Sequence, residues 1–392
     1  MLPKGWTQSP LREGVRIHSG HAPSDLNLLT EGEIPYVKVE DLNNCEKYQT
    51  DSREYLSACR SVVPAQALIF PKRGAAIFAN KIRIAARPLA LDTNLMGVEV
   101  VSGLDPEYLY YAISFAGLHR LADTSTIPQL NNKHVLPHVL PRPSLMEQRR
   151  IAQILSTWDQ TISATERLLA NSEEQKLGLM QELLTGKHRL GGHTAGWQEH
   201  HLGRLFAERV EPNRDDLQLL SITREQGVIL RDDVGRKDTS NEDKSKYLRI
   251  CPGDIGYNTM RMWQGVSALS PHEGIISPAY TVITPGELID GKFASYLFKS
   301  QPVVFLFYRH SQGLVSDTWN LKFSHFAKIK IKIPSIQEQR SIAEVLEKAD
   351  QQIEVIQRQL VALRDEKSAL MSQLLTGKCR VKLPDAETEV QA

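Results

Sequence analysis

The strongest constraint in this sequence is an internal repeat. The segment from Pro143 to Leu190 aligns without a gap with the segment from Pro334 to Val381, and 22 of the 48 aligned positions are identical. The dipeptide Gly196-Trp197 follows the first copy and matches Gly5-Trp6 near the start of the chain. The chain is therefore interpreted as a tandem duplication, in which a variable block is followed twice by a repeated segment.

Both repeated segments are predicted to be helices of about 35–40 residues. Apolar residues recur at alternating steps of four and three, which is the heptad pattern of a coiled coil. Pro143 and Pro334 stand where a helix can begin, and Gly186 and Gly377 stand where one can end. The predicted seam of the helix pair consists of Ile151, Leu155, Trp158, Ile162, Leu169, Leu179, Leu183, Ile342, Leu346, Ile353, Ile356, Leu360, Leu363, Leu370 and Leu374.

One such helix could be an ordinary amphipathic surface helix, but two copies in one register favour pairing. Packed antiparallel, the helices would place the variable blocks at opposite ends and act as a spacer. Lys176 and Lys367 interrupt both seams at the same place. A tolerated polar layer and a role in setting the register both remain open for these lysines.

The variable blocks share an outline of strands followed by a helix. The sequence predicts an α+β fold class, with two α/β domains separated by two long helices that form an antiparallel coiled coil. The predicted boundaries are 1–142 for the first domain, 143–190 for the first helical spacer, 191–333 for the second domain, 334–382 for the second spacer and 383–392 for a flexible tail. Strands are predicted at 34–42, 67–76, 92–100, 217–223, 254–263 and 277–283, and closing helices at 106–121 and 292–308.

The net charge of +1 indicates no bulk attraction to nucleic acid, so any DNA-binding charge must be local. Between Glu54 and Asp92 there is no acidic residue, whereas Arg60, Lys72, Arg73, Lys81, Arg83 and Arg87 all fall there. A solvated strand face is the alternative to a phosphate-binding surface. In the second block Asn258, Arg261 and Gln264 suit bidentate contact with base edges. The predicted DNA contacts, which include polar loops at 129–133 and 316–320, are Lys38, Lys72, Arg73, Lys81, Arg83, Gln129, Asn131, Lys133, Asn258, Arg261, Gln264, Asn320 and Lys322.

No catalytic constellation is found. Ser277-Pro-Ala-Tyr280 echoes the Asn-Pro-Pro-Tyr loop of adenine methyltransferases but lacks the side chain that would accept the amino proton. Gly186-Lys187 has no glycine five residues earlier, so it is not a phosphate-binding loop. The histidines and the four scattered cysteines form no zinc pattern, and no metal site is predicted. No apolar run approaches the roughly 18–20 residues of a membrane span, and a cytoplasmic location is expected.

These features together resemble the specificity subunits of Type I restriction-modification systems, over nearly the whole chain. The helix-opening Pro-x-x-x-Glu-Gln-Arg-x-Ile-Ala appears at Pro143 and again at Pro334. Segments 36–42, 257–265 and 277–280 also resemble parts of the recognition domains of that family.

The resemblance implies a non-catalytic chain that binds double-stranded DNA, two DNA-adenine methyltransferase subunits and restriction/translocase subunits. Each recognition domain would read one half of a split target. The chain itself would need no cofactor, since S-adenosylmethionine, ATP and Mg are expected in the partner subunits. A specificity chain for a combined restriction-methyltransferase enzyme is a close variant. A coiled-coil adaptor that binds only proteins, and an enzyme, are the alternatives from other classes.

Overall fold

The computed structural model describes residues 2–59, 61–123, 127–223, 227–233, 243–314 and 318–383. Arg60, part of the predicted polar loop 316–320 and nearly all of the predicted tail lie outside these ranges. The first half of the chain forms β1 (Thr7–Pro10), β2 (Val15–Ser19), β3 (Ile34–Val37), β4 (Tyr48–Gln49), β5 (Tyr55–Leu56), β6 (Leu68–Pro71), β7 (Arg83–Ala85), β8 (Ala90–Leu91), β9 (Leu95–Val100), α1 (Pro106–Ala116), α2 (Leu118–Leu121), α3 (Asn132–Val135), β10 (Val139–Arg142) and α4 (Leu145–Leu183).

The second half has a similar order, with an additional short helix after its first strand. Its elements are β11 (Gln198–His201), α5 (Leu202–Leu205), β12 (Phe206–Arg209), β13 (Leu220–Thr223), β14 (Gly227–Leu230), β15 (Leu248–Ile250), β16 (Ile255–Asn258), β17 (Ser267–Leu269), β18 (Gly274–Ile276), β19 (Tyr280–Pro285), α6 (Gly291–Leu297), α7 (Gln301–His310), α8 (Phe323–Phe326), β20 (Lys330–Ile333) and α9 (Ile336–Leu375).

The chain divides into two compact units. Unit 1 contains residues 1–166 and 359–392, and unit 2 contains residues 167–358. Each unit therefore holds one variable block, the beginning of the long helix that follows it and the end of the other long helix.

The central sheet of unit 1 has the strand order β2-β9-β6-β7-β4. Its middle strands β6 and β9 are antiparallel, with Leu68 opposite Val98. Strand β1 pairs with β10, which brings the beginning of the block to its end. A second sheet has the order β5-β3-β8, and its Val37 and Leu91 share a buried cluster with Ile69 of the central sheet. Strand β3 ends before the predicted residue 42, because the Asp41 carboxylate accepts from the Lys38 backbone N–H at 2.8 Å and turns the chain.

The main sheet of unit 2 has the same central strands as that of unit 1, but the strands around it differ. It has the order β12-β19-β16-β17, so β12, β19 and β16 correspond to β2, β9 and β6. The pair β11-β20 corresponds to β1-β10. Around the central strands, β13 pairs with β14 and β15 with β18, whereas in unit 1 β3 lies between β5 and β8. The two domains thus share a scaffold and differ in what is attached to it.

The prediction of two long helices is confirmed. Helix α4 has 39 residues and α9 has 40. Each begins after a serine whose hydroxyl accepts a backbone N–H in the first turn, Ser144 from Glu147 at 3.3 Å and Ser335 from Glu338 at 3.4 Å. Each is followed by a glycine in the left-handed region, Gly186 at φ 72° and Gly377 at φ 75°, which a larger residue would adopt only with strain.

The predicted closing helices are each broken in two. Gly117, at φ 82°, separates α1 from α2, so the predicted helix 106–121 is not continuous. Pro302, in the first turn of α7, interrupts the predicted helix 292–308 because a proline cannot continue the hydrogen-bond ladder of α6. The strand predicted at 254–263 is likewise wrong beyond Asn258, where the chain turns into a loop.

The long helices contribute directly to the core of each unit. In unit 1, Ile151 and Leu155 of α4 and Leu374 of α9 are buried with Phe70 and Tyr108. In unit 2 the corresponding residues are Leu183 of α4 and Ile342 and Leu346 of α9, buried with a cluster of phenylalanine rings. Burying such side chains stabilises each fold by about 1.5–3 kcal/mol per residue, so the helix ends are part of each domain.

Candidate nucleic-acid interface

Three polar loops meet at one edge of the unit 1 sheet. The Lys72 backbone N–H donates to the Asn94 carbonyl at 2.7 Å, and the Lys72 carbonyl accepts from the Leu130 N–H at 2.8 Å. Arg73 forms an isolated β-bridge with Gln129. We name residues 72–78, 92–94 and 127–133 the first loop cluster. Backbone bonds fix its loops to each other, so side chains far apart in sequence share one surface.

Unit 2 has the same arrangement. The Thr259 N–H donates to the Ala279 carbonyl at 3.0 Å, and the Thr259 carbonyl accepts from the Leu321 N–H at 2.8 Å. We name residues 258–265, 277–280 and 318–322 the second loop cluster. Thr259 therefore occupies the structural position of Lys72, and Leu321 that of Leu130. The sequence placed these polar loops at matching positions along the chain, and the backbone bonds bring them together in space.

Five predicted cations in the loop clusters have no side-chain partner in the described part of the chain. Lys72 is half-buried, and the other four side chains are exposed. None of the five side chains has a hydrogen bond or ion pair with any residue that the structure describes. They are Lys72, Arg73, Lys133, Arg261 and Lys322. Burial, together with the neighbouring charge of Arg73, lowers the pKa of the Lys72 amine. Cations held without a carboxylate partner are available to bind phosphate.

The predicted amides have mixed surroundings. Asn258 and Asn320 brace the loops that carry them: the Asn258 oxygen accepts from the Met260 N–H at 3.0 Å, and the Asn320 amide donates to the Gln312 carbonyl at 3.2 Å. Asn131 lies at the beginning of α3, where its N–H donates to the His134 ring at 3.2 Å. Gln129 is half-buried and Gln264 is exposed, and neither side chain has a hydrogen bond within the described ranges.

Three predicted cations lie outside the loop clusters and have partners elsewhere. Lys38 forms an ion pair with Glu54, and Lys81 donates to the Asn43 amide oxygen. The Arg83 guanidinium donates to the carbonyls of Leu42 and Ile82 at 2.7 and 2.8 Å. Their role in DNA binding stays a prediction, and the structure supplies each with an internal partner.

The repeated Glu-Gln pair at the beginning of each long helix forms an anchor. In unit 2 the Glu338 carboxylate, 1% exposed, accepts two bonds from Arg189 at 2.5 and 2.9 Å. In unit 1 Glu147 accepts the matching pair from Arg380 at 2.9 and 3.1 Å, and also the Trp6 indole N–H at 3.1 Å. Arg189 lies six residues after the end of α4, and Arg380 lies five residues after the end of α9.

The glutamine of each pair ties the helix to its domain. The Gln148 oxygen accepts the Asp105 backbone N–H at 2.8 Å, and the Gln339 oxygen accepts the Asp290 N–H at 2.9 Å. Asp105 and Asp290 are the N-caps of α1 and α6. The repeated motif is therefore structural in both units.

The predicted seam residues are all buried or half-buried. The buried members are Ile151, Leu155, Leu183, Ile342, Leu346, Ile356, Leu360 and Leu374. The half-buried members are Trp158, Ile162, Leu169, Leu179, Ile353, Leu363 and Leu370.

Within each unit the two helices run antiparallel. In unit 1 Glu147 bonds Arg380, Asp159 bonds Lys367 and Glu166 bonds Arg364. As the residue number in the first partner increases, the residue number in the second decreases, so the two helices run in opposite directions. In unit 2 Lys176 bonds Asp350, and Arg189 bonds Glu338.

Sequence reasoning missed the tyrosines that join these helix pairs. The Tyr296 hydroxyl of α6 donates to Asp350 at 2.6 Å, and the Tyr111 hydroxyl of α1 donates to Asp159. Burial and the bonded carboxylate raise the pKa of both phenols. A sequence pattern could have indicated this polar layer, because the aspartate (Asp159, Asp350) and the lysine (Lys176, Lys367) are identical in the two copies of the repeat.

The segment resembling a methyltransferase loop is a turn before β19. Its Ser277 carbonyl accepts the Tyr280 N–H at 3.0 Å, and the Tyr280 hydroxyl donates to the Ile222 carbonyl at 3.4 Å. Among the residues that the structure describes, no group of three His, Cys, Asp or Glu side chains could hold a metal ion. No helix in the described ranges is long and apolar enough to cross a membrane.

The chain is similar to known specificity proteins in sequence and in fold. It is 26% identical over 309 residues to the specificity subunit of the Type I restriction enzyme MjaVIII from Methanocaldococcus jannaschii, which covers 71% of each chain. The structure matches the S subunit of a Type I restriction-modification system from M. genitalium with a TM-score of 0.58 at 14% identity, covering 94% of this chain and 96% of that one.

A chain from a structure on complex assembly and conformational transition of the type I R-M system gives a TM-score of 0.61 at 17% identity, covering 97% and 100%. These structural matches confirm the predicted fold class. The model of the Type I restriction modification DNA specificity domain matches residues 3–173 and again residues 233–364. The two matches cover most of the sequence, and the chain belongs to the Type I restriction-modification DNA specificity family.

Proposed function

We propose that this chain is the non-catalytic DNA-reading subunit of a Type I restriction-modification complex. Each recognition domain, within 1–142 and 191–333, reads one half of a bipartite target through its loop cluster. The single observation that carries the proposal is the set of unpaired cations, Lys72, Arg73 and Lys133 in one cluster and Arg261 and Lys322 in the other. Phosphate contacts of this kind supply affinity and set the position of a reader on the duplex.

Sequence preference in this proposal comes from side chains beside the cations. Arg261 can bond a guanine edge in bidentate fashion, and Gln264 an adenine edge. The exposure of both side chains supports this role. Asn258 and Asn320 shape the second loop cluster, so their contribution to base recognition is indirect.

The proposed partners follow from the family. Two DNA-adenine methyltransferase subunits bind the duplicated chain, because two similar repeats offer two similar surfaces, and restriction/translocase subunits complete the complex in the cytoplasm. S-adenosylmethionine, ATP and Mg bind to those partners and serve the methylation and the cleavage. This chain directs the partners to the target and needs no cofactor of its own.

The experiment is methylation mapping by long-read sequencing in cells that carry this chain with its cognate methyltransferase. We expect a split adenine-methylated motif that disappears when the chain is deleted. A chain with Lys72, Arg73, Arg261 and Lys322 changed to Ala should restore methylation weakly or not at all. A control chain with Arg16 and Lys330 changed to Ala should restore it fully, because both are exposed cations outside the loop clusters and are paired with Glu99 and Glu199. A methyltransferase that is active without any chain-dependent motif would contradict the proposal and favour a protein-only adaptor.

A further inference from the structure

Rings of the second loop cluster and of helix α7 form a row at the protein surface. The Trp263 and Trp319 ring centroids lie 5.2 Å apart, edge to face, and Trp319 meets Tyr308 in the same way at 5.0 Å. Phe305 stacks beside Tyr308 with centroids 6.2 Å apart. With Met260, we name these residues the aromatic row. Phe305, Tyr308 and Met260 are 57%, 44% and 48% exposed.

The orientation of the row is fixed before any partner binds. The Trp263 indole N–H donates to the Met260 carbonyl at 3.0 Å, so the loop holds its own ring. Trp319 contacts both Trp263 and Tyr308 and directly precedes Asn320, whose side-chain amide donates to the Gln312 and Thr318 carbonyls at 3.2 Å. Surfaces that expose several large apolar side chains together commonly mark interaction sites, and a rigid surface binds with a lower entropic cost.

Charge indicates which partner the aromatic row meets. Arg261 adjoins Met260 in the chain, Arg309 adjoins Tyr308, and Lys322 follows Trp319 by three residues. All three side chains are exposed and bond no carboxylate among the described residues. An apolar surface flanked by unpaired cations complements DNA, where the phosphates are anionic and the thymine methyl group is the apolar feature of the major groove.

We propose that the aromatic row contacts thymine methyl groups, so that the half-site read by unit 2 contains thymine at a contacted position. The inference rests on the proposed function and adds the chemical class of base that one domain selects. The first loop cluster lacks a comparable row in its described part, where Phe78 and Ile127 are the exposed large apolar side chains. The two half-sites therefore differ in their dependence on thymine methyl groups.

The test uses duplexes that carry the mapped target, with deoxyuridine replacing thymidine in one half at a time. This removes the methyl group and keeps base pairing. The full chain in complex with its methyltransferase is titrated with each duplex. Uracil in the half-site read by unit 2 should weaken binding about fourfold for each contacted methyl group. Uracil in the half-site read by unit 1 should have a smaller effect.

Variants link this response to the aromatic row. Met260→Ala and, independently, Tyr308→Ala should remove the uracil response, because the contact is already lost. Met146→Ala is the matched control, since Met146 is 53% exposed on α4 and lies outside both loop clusters; it should keep the response.

Three results would overturn the inference while leaving the proposed function intact. They are equal uracil effects in both halves, a response that survives in Met260→Ala and Tyr308→Ala, and loss of the methyltransferase from these variants with the DNA response unchanged. The last result would assign the row to a protein partner. Absence of any chain-dependent motif would instead contradict the proposed function itself.

Discussion

The ammonium group of Lys176 on α4 bonds the carboxylate of Asp350 on α9, and the Tyr296 hydroxyl of α6 bonds the same carboxylate. Three elements of unit 2 therefore meet at one polar layer. Unit 1 repeats the layer with Lys367, Asp159 and Tyr111. The lysine that interrupts each apolar seam is thus paired with an aspartate of the opposite helix, which is the arrangement expected of a register-setting layer.

Changing Lys176 to Met should lower the free energy of unfolding by about 1–2 kcal/mol, between the values for exposed and buried ion pairs. The loss arises because Asp350 keeps its charge in a half-buried site without its cation. Urea titration of the full chain measures it. Adding Asp350→Asn should recover part of the loss, because the amide still accepts from Tyr296.

Lys348→Met is the control for this layer, since the Lys348–Glu344 pair is 71% and 66% exposed. We expect a change within about 0.5 kcal/mol. If Lys348→Met destabilised the chain as much as Lys176→Met, the polar layer would have no special role in the helix pair.

The two anchors differ in one hydrogen bond, and this difference predicts unequal mutants. Arg189→Ala leaves the buried Glu338 without a side-chain donor, which should cost about 3–5 kcal/mol. Arg380→Ala leaves Glu147 bonded to the Trp6 indole, so the loss should be smaller. In unit 2 the corresponding indole N–H of Trp197 is buried and unpartnered.

Thermal unfolding of the two variants side by side measures the difference between the anchors. Arg340→Ala is the control, because Arg340 is 70% exposed and lies 3.9 Å from Asp290, and it should change stability by less than about 0.5 kcal/mol. Equal losses for Arg189→Ala and Arg380→Ala would mean that Trp6 contributes nothing to its anchor.

The double variant Lys72→Ala/Arg73→Ala tests the phosphate role of the first loop cluster. Each lost phosphate contact should reduce the slope of log affinity against log salt by about 0.9, so the slope should fall by up to about two units. Sequence preference should be largely kept, because phosphate contacts carry no base information. Binding of the complex to its target and to a scrambled duplex at several salt concentrations measures both effects.

Lys38→Ala is the matched control for the loss of a loop cation. Lys38 was also predicted as a DNA contact, but its ammonium is paired with Glu54. We expect the salt slope to stay unchanged in this variant. A slope that fell with Lys38→Ala and not with the double variant would move the phosphate contacts away from the first loop cluster.

The long helices could be predicted from the sequence because their signal is local and repeated. A heptad pattern with a proline before it and a glycine after it depends only on neighbouring residues. The breaks in the closing helices could have been predicted, because Gly117 and Pro302 are residues that commonly end or interrupt a helix. They were missed because the apolar spacing continues across both residues.

The grouping of the polar loops could not be derived from the sequence. Leu130 bonds Lys72 and Leu321 bonds Thr259 across more than fifty residues, and such backbone contacts leave no local pattern. Asp159 and Asp350 are identical in the two copies, as are Lys176 and Lys367, but only the lysines were singled out from the sequence. The sequence does not specify which partner each one meets, because that depends on tertiary packing.

The stability of unit 1 should depend on the protonation of His138. Its Nε2 atom is buried and unpartnered, and burial lowers the pKa of the imidazole below the usual 6.5. The unfolded chain then binds the proton first as the pH falls, so stability is present above about pH 6.5 and is lost progressively down to the lowered pKa of the folded state. His138→Gln should reduce the loss of stability between about pH 7.5 and 5.5, measured as the shift of the urea midpoint. His188→Gln, which changes an exposed imidazole, is the matched control, and an equal reduction there would rule out His138 as the source.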